Sequence, residues 1–165
     1  MSSKIATDIA KGALAGAVGG LVASFAMNQF QAVLAKVKPQ PEQSQPADDE
    51  PATVKVADAV AHQVLDRDLS KDEKDPAGNA VHYAFGAAAG ALYGALAEAS
   101  KAPGLGFGTL FGSVLWFLAD EIAVPGLRLS KAPTSYPPSV HASAWASHMV
   151  YGITTDLVRR GLRAI

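Results

Sequence analysis

The sequence contains no cysteine in its 165 residues, which excludes disulfides, thiolate metal sites and cysteine nucleophiles. It also has no excess of positive charge, because 14 basic residues are offset by 15 acidic residues. A nucleic-acid-binding protein needs a concentrated basic face, so we exclude nucleic acid as a partner. The nucleophile motif Gly-x-Ser-x-Gly is missing, and neighbours such as Ser147 and His148 point apart on a helix. We therefore expect no catalytic residues, no enzyme activity and no required cofactor.

Four long stretches of the chain lack both lysine and arginine. About 20 helical residues, at ~1.5 Å each, cross a hydrocarbon core of ~30 Å. The stretches are residues 12–34, 79–99, 104–124 and 139–158. They predict an all-α protein whose single domain, residues 1–165, is a four-helix bundle in the lipid bilayer. The first stretch exceeds the ~7–15-residue core of a cleaved signal, so we interpret it as a retained helix.

One long connection joins the first two predicted spans. Residues 36–52 are rich in proline, glutamine and acidic residues, which is the composition of a solvated linker. From about 53 to 69, Val56, Val60 and Val64 fall on one side of a helix together with Ala57 and Ala61. This spacing predicts a short amphipathic helix that lies on the membrane surface or caps the bundle, with a partly ordered loop as the alternative.

Small residues recur at intervals of four in the first three predicted spans. They are Gly12, Gly16, Gly20 and Ser24 in the first, Gly86, Gly90 and Gly94 in the second, and Gly104, Gly108 and Gly112 in the third. In lipid, helices associate mainly where small residues let their backbones approach closely. In water each helical glycine costs roughly 1 kcal/mol relative to alanine, which disfavours a soluble helical protein. We expect glycine-rich helix interfaces, with rows that could also serve a homo-oligomer or a larger membrane complex.

Six polar side chains fall at one level of the predicted bundle, near the side on which the second span begins and the third ends. They are Asn28, His82, Asp120, Glu121, His141 and His148. The two histidines of the fourth span are seven residues apart and share one helix face. The two acids of the third span are about 100° apart around their helix, so we expect only one to point fully into the bundle.

Three interpretations of this polar layer stay open. In the first, His148 and Asn28 make interhelical hydrogen bonds worth ~0.6–2 kcal/mol each. In the second, His82 and His148 handle protons or ions together with Asp120 or Glu121. In the third, His82 and His148 bind a cofactor such as haem or a metal, although no spacing matches a named metal motif and we assign no metal ligand.

Two further acids lie at the opposite ends of their spans. Glu98 and Asp156 are each within a turn of a predicted helix end, where a carboxylate reaches water cheaply. We expect both to be solvated, and Asp156 to pair with Arg160 four residues later.

Basic residues near the span ends bear on orientation. An even number of spans puts both termini on one side, and the two sides carry equal numbers of nearby basic residues. The compact cluster of Arg159, Arg160 and Arg163 favours cytoplasmic termini, which places the long acidic connection outside.

Short motifs in the last 90 or so residues resemble the YagU-type proteins of the bacterial inner membrane. The motifs are His82 through Phe85 and Tyr93 to Ala97-Glu98, the glycine-rich third span with Pro125, and Ser147-His148 running to Leu157, Arg159-Arg160 and Leu162-Arg163. The resemblance implies a multi-helix protein of the bacterial inner (cytoplasmic) membrane without an established activity, with His82, Glu98 and His148 as family features. Asp120 and Glu121 depart from that pattern. We expect an accessory or structural subunit, or a protein of envelope homeostasis, and the proton, ion or haem site is the alternative.

Overall fold

The computed structural model describes residues 2–37, 50–100 and 102–165, and these residues form five helices. The helices are α1 (Ser2–Val37), α2 (Ala52–Leu65), α3 (Lys71–Ala99), α4 (Thr109–Gly126) and α5 (Pro138–Ala164). Short 3-10 turns cover Ala102–Gly104 and Pro133–Ser135. No strand occurs within the described ranges, which confirms the all-α prediction. Residues 38–49 of the predicted linker lie outside the described residues.

Three of the helices, α1, α3 and α4, are long and apolar enough to cross a membrane. The fourth predicted span lies within α5, which is long enough but does not reach the same hydropathy among the described residues. The physical reason is its composition, because histidine, serine and threonine alternate with the apolar side chains of α5.

Helices α1 and α3 run antiparallel with their backbones in contact. The facing glycine pairs are Gly12 with Gly94, Gly16 with Gly90, and Gly20 with Gly86. A Cβ atom added to any of these six residues would collide with atoms of the opposite helix, including backbone atoms at all but Gly86, where the side chain of Ser24 is closest. Every fourth residue of one helix thus meets every fourth residue of the other, and only glycine permits this spacing.

Helix α5 packs against α1 on one side and against α4 on the other. A Cβ on Gly112 of α4 would collide with the backbone of His148, and one on Gly152 of α5 would collide with the backbone of Gly108. Glycine therefore also sets the distance between α4 and α5. The resulting order across the protein is α3, α1, α5 and α4.

The predicted start of the third span at Gly104 is wrong, because α4 begins only at Thr109. Gly104 ends a 3-10 turn, and Gly106, Phe107 and Gly108 have φ angles of 63°, 56° and 84°. These left-handed values form a turn that a helix cannot contain. The glycine row of this span is therefore divided between the turn and the helix.

Part of α4 is a π-helix, which covers Phe117–Ala123. In this geometry each backbone N–H bonds to the carbonyl five residues earlier, so the turn is wider than in an α-helix. Asp120 and Glu121 both lie in this wider turn, and π-helical turns are frequent at functional sites.

The short helix α2 packs on the beginning of α3. Its buried residues are Val54, Ala57 and Ala61, and the Val54 side chain lies against Gly78 of α3. Of the predicted face, Ala57 and Ala61 are buried, whereas Val60 and Val64 are exposed. The alanines form the contact because small side chains let α2 approach α3 closely.

Large apolar side chains cover the outside of the protein, whereas the interior is built from small ones. The exposed set includes Leu14, Val18, Leu21, Val22 and Phe25 of α1, Phe85, Leu92 and Leu96 of α3, and Leu110, Val114, Phe117, Leu118 and Ile122 of α4. The buried hydrophobic set is mostly alanine with Met27, Val54, Tyr93 and Tyr151. Contiguous apolar exteriors of this kind indicate a lipid or protein environment rather than water.

The backbone contact predicts that a glycine-to-alanine substitution lowers stability at one helical position and raises it at another. In Gly90→Ala the new Cβ collides with the backbone of α1, so we expect a loss of about 1–3 kcal/mol in the free energy of unfolding. A Cβ added to Gly161 of α5 meets no atom within 4 Å, so Gly161→Ala should stabilise by up to about 1 kcal/mol. Equilibrium unfolding of both variants in mild detergent measures the difference, and equal effects would contradict the contact.

Candidate functional site

A partly open cavity of about 800 Å³ lies at the end of the protein that carries α2. Its walls come from all five helices and from the connection between α4 and α5. All six residues of the predicted polar layer line it, namely Asn28, His82, Asp120, Glu121, His141 and His148. The fold therefore gathers these six side chains around one space.

Both acids of α4 face this cavity, and each lies beside a histidine of α5. Glu121 Oε1 is 2.5 Å from Nδ1 of His141, and Asp120 Oδ2 is 3.6 Å from Nδ1 of His148. The side chain of Glu121 is 15% exposed and that of Asp120 is 36% exposed, so the expectation that only one acid points fully into the bundle stays a prediction. Both acids lie in the π-helical turn, where the angular spacing of consecutive residues differs from the ~100° of an α-helix.

The outer pair, His141 and Glu121, is fully hydrogen-bonded. Nε2 of His141 is 3.1 Å from the carbonyl oxygen of Pro133, and the ring of Tyr136 packs edge-on against the imidazole. A carbonyl and a carboxylate both accept hydrogen bonds, so the doubly protonated imidazole satisfies both neighbours. In that form His141 also neutralises the charge of Glu121.

The inner pair is different, because His148 uses its proton within its own helix. Its Nδ1 lies 3.0 Å from the carbonyl oxygen of Ala144, which can only accept, so Nδ1 donates there. The separation of 3.6 Å from Asp120 is too long for a hydrogen bond. Nε2 is then the ring nitrogen left to bind another group. The predicted interhelical hydrogen bond of His148 is absent among the described residues, whereas Asn28 does reach Asn79 on α3 at 3.5 Å.

Two further polar atoms in the cavity lining lack partners among the described residues. Nε2 of His82 and Oγ of Ser24 are buried without a hydrogen bond, and Ser24 is 0% exposed. The imidazole of His82 lies beside the backbone of Ser24 and within electrostatic range of His148. Buried polar atoms without partners are uncommon in proteins, and they are often satisfied by water or a ligand.

The metal and haem interpretation depends on ligands that converge on one point. Within residues 2–37, 50–100 and 102–165, no group of three or more histidine, aspartate or glutamate side chains could hold a metal ion. His82 and His148 line the same cavity from different helices, as the haem interpretation requires.

At the opposite end of the protein, Asp156 is completely buried. Its Oδ1 accepts a hydrogen bond of 2.6 Å from the hydroxyl of Tyr93, and its Oδ2 accepts one of 2.8 Å from Nε of Arg160. The predicted pair with Arg160 is present, but the expectation that Asp156 would be solvated is wrong, since its exposure is 0%. Tyr93 is 63 positions away in the chain, and no local spacing links it to Asp156.

Glu98 is the second acid at this end, and it connects three helices. Its Oε1 accepts hydrogen bonds from Arg159 at 2.7 Å and from Arg163 at 2.8 Å. Arg163 also reaches Asp8 of α1 at 3.6 Å. The side chain of Glu98 is only 15% exposed, so it is not the solvated group that we expected. Its ion pairs link α3 directly to α5 and, through Arg163, to α1.

Because the hydroxyl of Tyr93 binds a buried carboxylate, we predict that it contributes more to the free energy of unfolding than the hydroxyl of Tyr83 in the same helix. Removing it in Tyr93→Phe leaves Asp156 with one hydrogen-bond partner, which should cost about 1–3 kcal/mol in the free energy of unfolding. Tyr83→Phe is the matched control, because the hydroxyl of Tyr83 makes no hydrogen bond to the described part of the chain. Unfolding titrations of both variants check this, and losses of equal size would refute the role of Tyr93.

Comparison with known proteins gives a family but no activity. Residues 62–157, more than half of the chain, match the family described as protein of unknown function (DUF1440). No curated protein and no solved structure matches the chain. The matched region contains His82, His148 and Asp156, and it is consistent with the resemblance to YagU-type proteins. The chain therefore belongs to the DUF1440 family of proteins of unknown function.

Proposed function

We propose that the protein is an integral protein of the bacterial cytoplasmic membrane in which α1, α3, α4 and α5 form a four-helix bundle. The observation that carries this proposal is the backbone contact between α1 and α3 at three glycine pairs. Lipid offers little hydrophobic drive for helix association, so such close contacts become the main source of stability there. The large apolar side chains on the outside of the same helices suit contact with lipid.

The polar composition of α5 is compatible with a membrane-spanning role because its polar side chains face inward. Ser147, His148, Thr155 and Asp156 are buried, whereas Ile153 and Leu157 are exposed. Polar residues in membrane helices usually face the interior of a bundle, where they find partners. We therefore assign α5 as the fourth span, shielded by α1 and α4.

We assign this bundle an accessory or structural role in the membrane or envelope, without catalysis of its own. The exposed apolar faces of α1 and α4 are wide enough to pack against another copy of the chain or against other membrane helices. Purification in mild detergent followed by native mass spectrometry tests this role. We expect a homo-oligomer or a defined complex, and a monomer without partners would contradict it.

Orientation in the membrane can be tested with single cysteines, since the native chain has none. Gln63 of α2 and the terminal Ile165 are both exposed. We expect a membrane-impermeant maleimide to label Gln63→Cys in intact cells, and to label Ile165→Cys only after the membrane is permeabilised. Labelling of both sites in intact cells would argue against an even number of spans with cytoplasmic termini.

A second candidate function, proton handling, is favoured by the cavity. Two carboxylate–imidazole pairs line one space together with His82, whose Nε2 has no hydrogen-bond partner among the described residues. Imidazole changes its charge near neutral pH, and ionisable groups inside membrane proteins commonly mark ion or proton pathways. The residues we assign are His82, His148 and Asp120.

Proton handling predicts that His148→Ala and Asp120→Asn reduce a pH-driven flux. The measurement is the rate of internal pH change in proteoliposomes after an external pH jump, and we expect at least a tenfold lower rate. His62→Ala is the control, because His62 is an exposed histidine of α2 that does not line the cavity. Unchanged rates in folded His148 and Asp120 variants would eliminate this function and leave a structural role for the polar layer.

A further inference from the structure

The cavity that we assign to proton handling is rich in negative charge and in hydrogen-bond acceptors. Its charged lining consists of three carboxylates, Asp75, Asp120 and Glu121, against Lys131 and the protonated His141 that pairs with Glu121. In the neutral form of His148 in which Nδ1 donates to Ala144, Nε2 is an acceptor. A molecule that brings positive charge and N–H donors would therefore complement this lining.

Asp120 is the carboxylate that lacks a close donor. Glu121 is held by His141 at 2.5 Å, whereas the nearest cationic group to Asp120 is His148 at 3.6 Å, whose Nδ1 is committed elsewhere. A buried or half-buried carboxylate is costly unless it is paired. The fold thus leaves Asp120, unlike its neighbour Glu121, with an unused capacity to bind a cation.

The second observation is the pair of buried atoms without partners. Ser24 and His82 are among the lining residues, and Oγ of Ser24 and Nε2 of His82 are buried without a hydrogen bond within the described residues. Each can accept a hydrogen bond from an N–H donor. Asp120, His82 and Ser24 come from three different helices around the same cavity.

The remaining walls are mostly apolar. They include Met27, Val81, Phe85, Leu115 and Ala119. A volume of about 800 Å³ is within the usual range for sites that bind small organic molecules. A bare metal ion would leave these walls uncovered, which favours a ligand with an apolar body.

We infer that the cavity binds an organic amine in its protonated form, with the ammonium group on Asp120 and the apolar body against these walls. Because the inference uses the site of the proposed proton-handling function, the two are separated by measuring binding without any pH gradient.

The test compares three molecules that share one rigid apolar cage and differ in charge, namely 1-adamantylamine, 1-adamantanol and adamantane-1-carboxylate. Calorimetric titration of the full-length protein in nanodiscs at constant pH 7.5, with empty nanodiscs subtracted, gives each Kd. We expect the amine to bind one molecule per chain and at least tenfold more tightly than the alcohol or the carboxylate. Equal affinities for the amine and the alcohol, or no saturable binding, would overturn the inference.

Variants then locate the ammonium group. Asp120→Asn should weaken binding of the amine at least tenfold and leave binding of the alcohol unchanged. Asp72→Asn is the charge-matched control, since Asp72 is exposed at the start of α3 and does not line the cavity. Equal effects of the two variants would refute the assignment, and if Asp120→Asn fails to fold, the three-ligand comparison on the native protein still decides. Loss of proton flux in Asp120→Asn without amine binding to the native protein would reject this inference alone.

Discussion

The contact between the backbones of α1 and α3 is the constraint on which the other features of this structure depend. Three glycine pairs hold the two helices together through one half of their length. The same row continues with Ser24 beside His82, and then with Asn28, which reaches Asn79 at 3.5 Å. Polar side chains thus replace glycine at the level where the cavity begins. One row of residues at intervals of four therefore packs α1 against α3 at one end of the protein and lines the cavity at the other end.

Helix α5 complements this arrangement because it carries polar groups along its buried face. Its histidines meet the acids of α4 at the cavity, and Asp156 meets Tyr93 of α3 at the other end. Helix α5 also packs against both α1 and α4. The polar side chains that lower the hydropathy of α5 are therefore enclosed by the other long helices. In this buried environment each hydrogen bond is electrostatically stronger than in water.

Much of the fold could be predicted from local composition. Stretches without lysine or arginine identified the four long helices, and the glycine row identified the face of α1 that contacts α3. These features follow from spacing along one helix. The turn before α4 could not be found this way, because Gly104 and Gly108 fit a helical row as well as they fit a turn.

The details of the site depended on contacts between distant residues. The six residues of the polar layer could be assigned to one level by counting turns, but the π-helix that brings both Asp120 and Glu121 to the cavity has no signal in the spacing. By its position in the sequence, Asp156 is close enough to a helix end to reach water. Its burial depends on Tyr93, 63 residues earlier, and on the turn that carries Gly104, whose carbonyl oxygen lies 3.3 Å from Arg160. Such tertiary partners are not visible in a single sequence.

A double-mutant cycle between Gly16→Ala and Gly90→Ala in lipid bicelles is the most direct measurement of the central contact. If the two backbones touch, the first alanine already separates the helices, and the second adds little. We expect the summed single costs to exceed the cost of the double variant by about 1 kcal/mol or more, within the ~0.5–3 kcal/mol typical of contacting residues. Additive costs, agreeing to within about 0.5 kcal/mol, would contradict the contact and the account built on it.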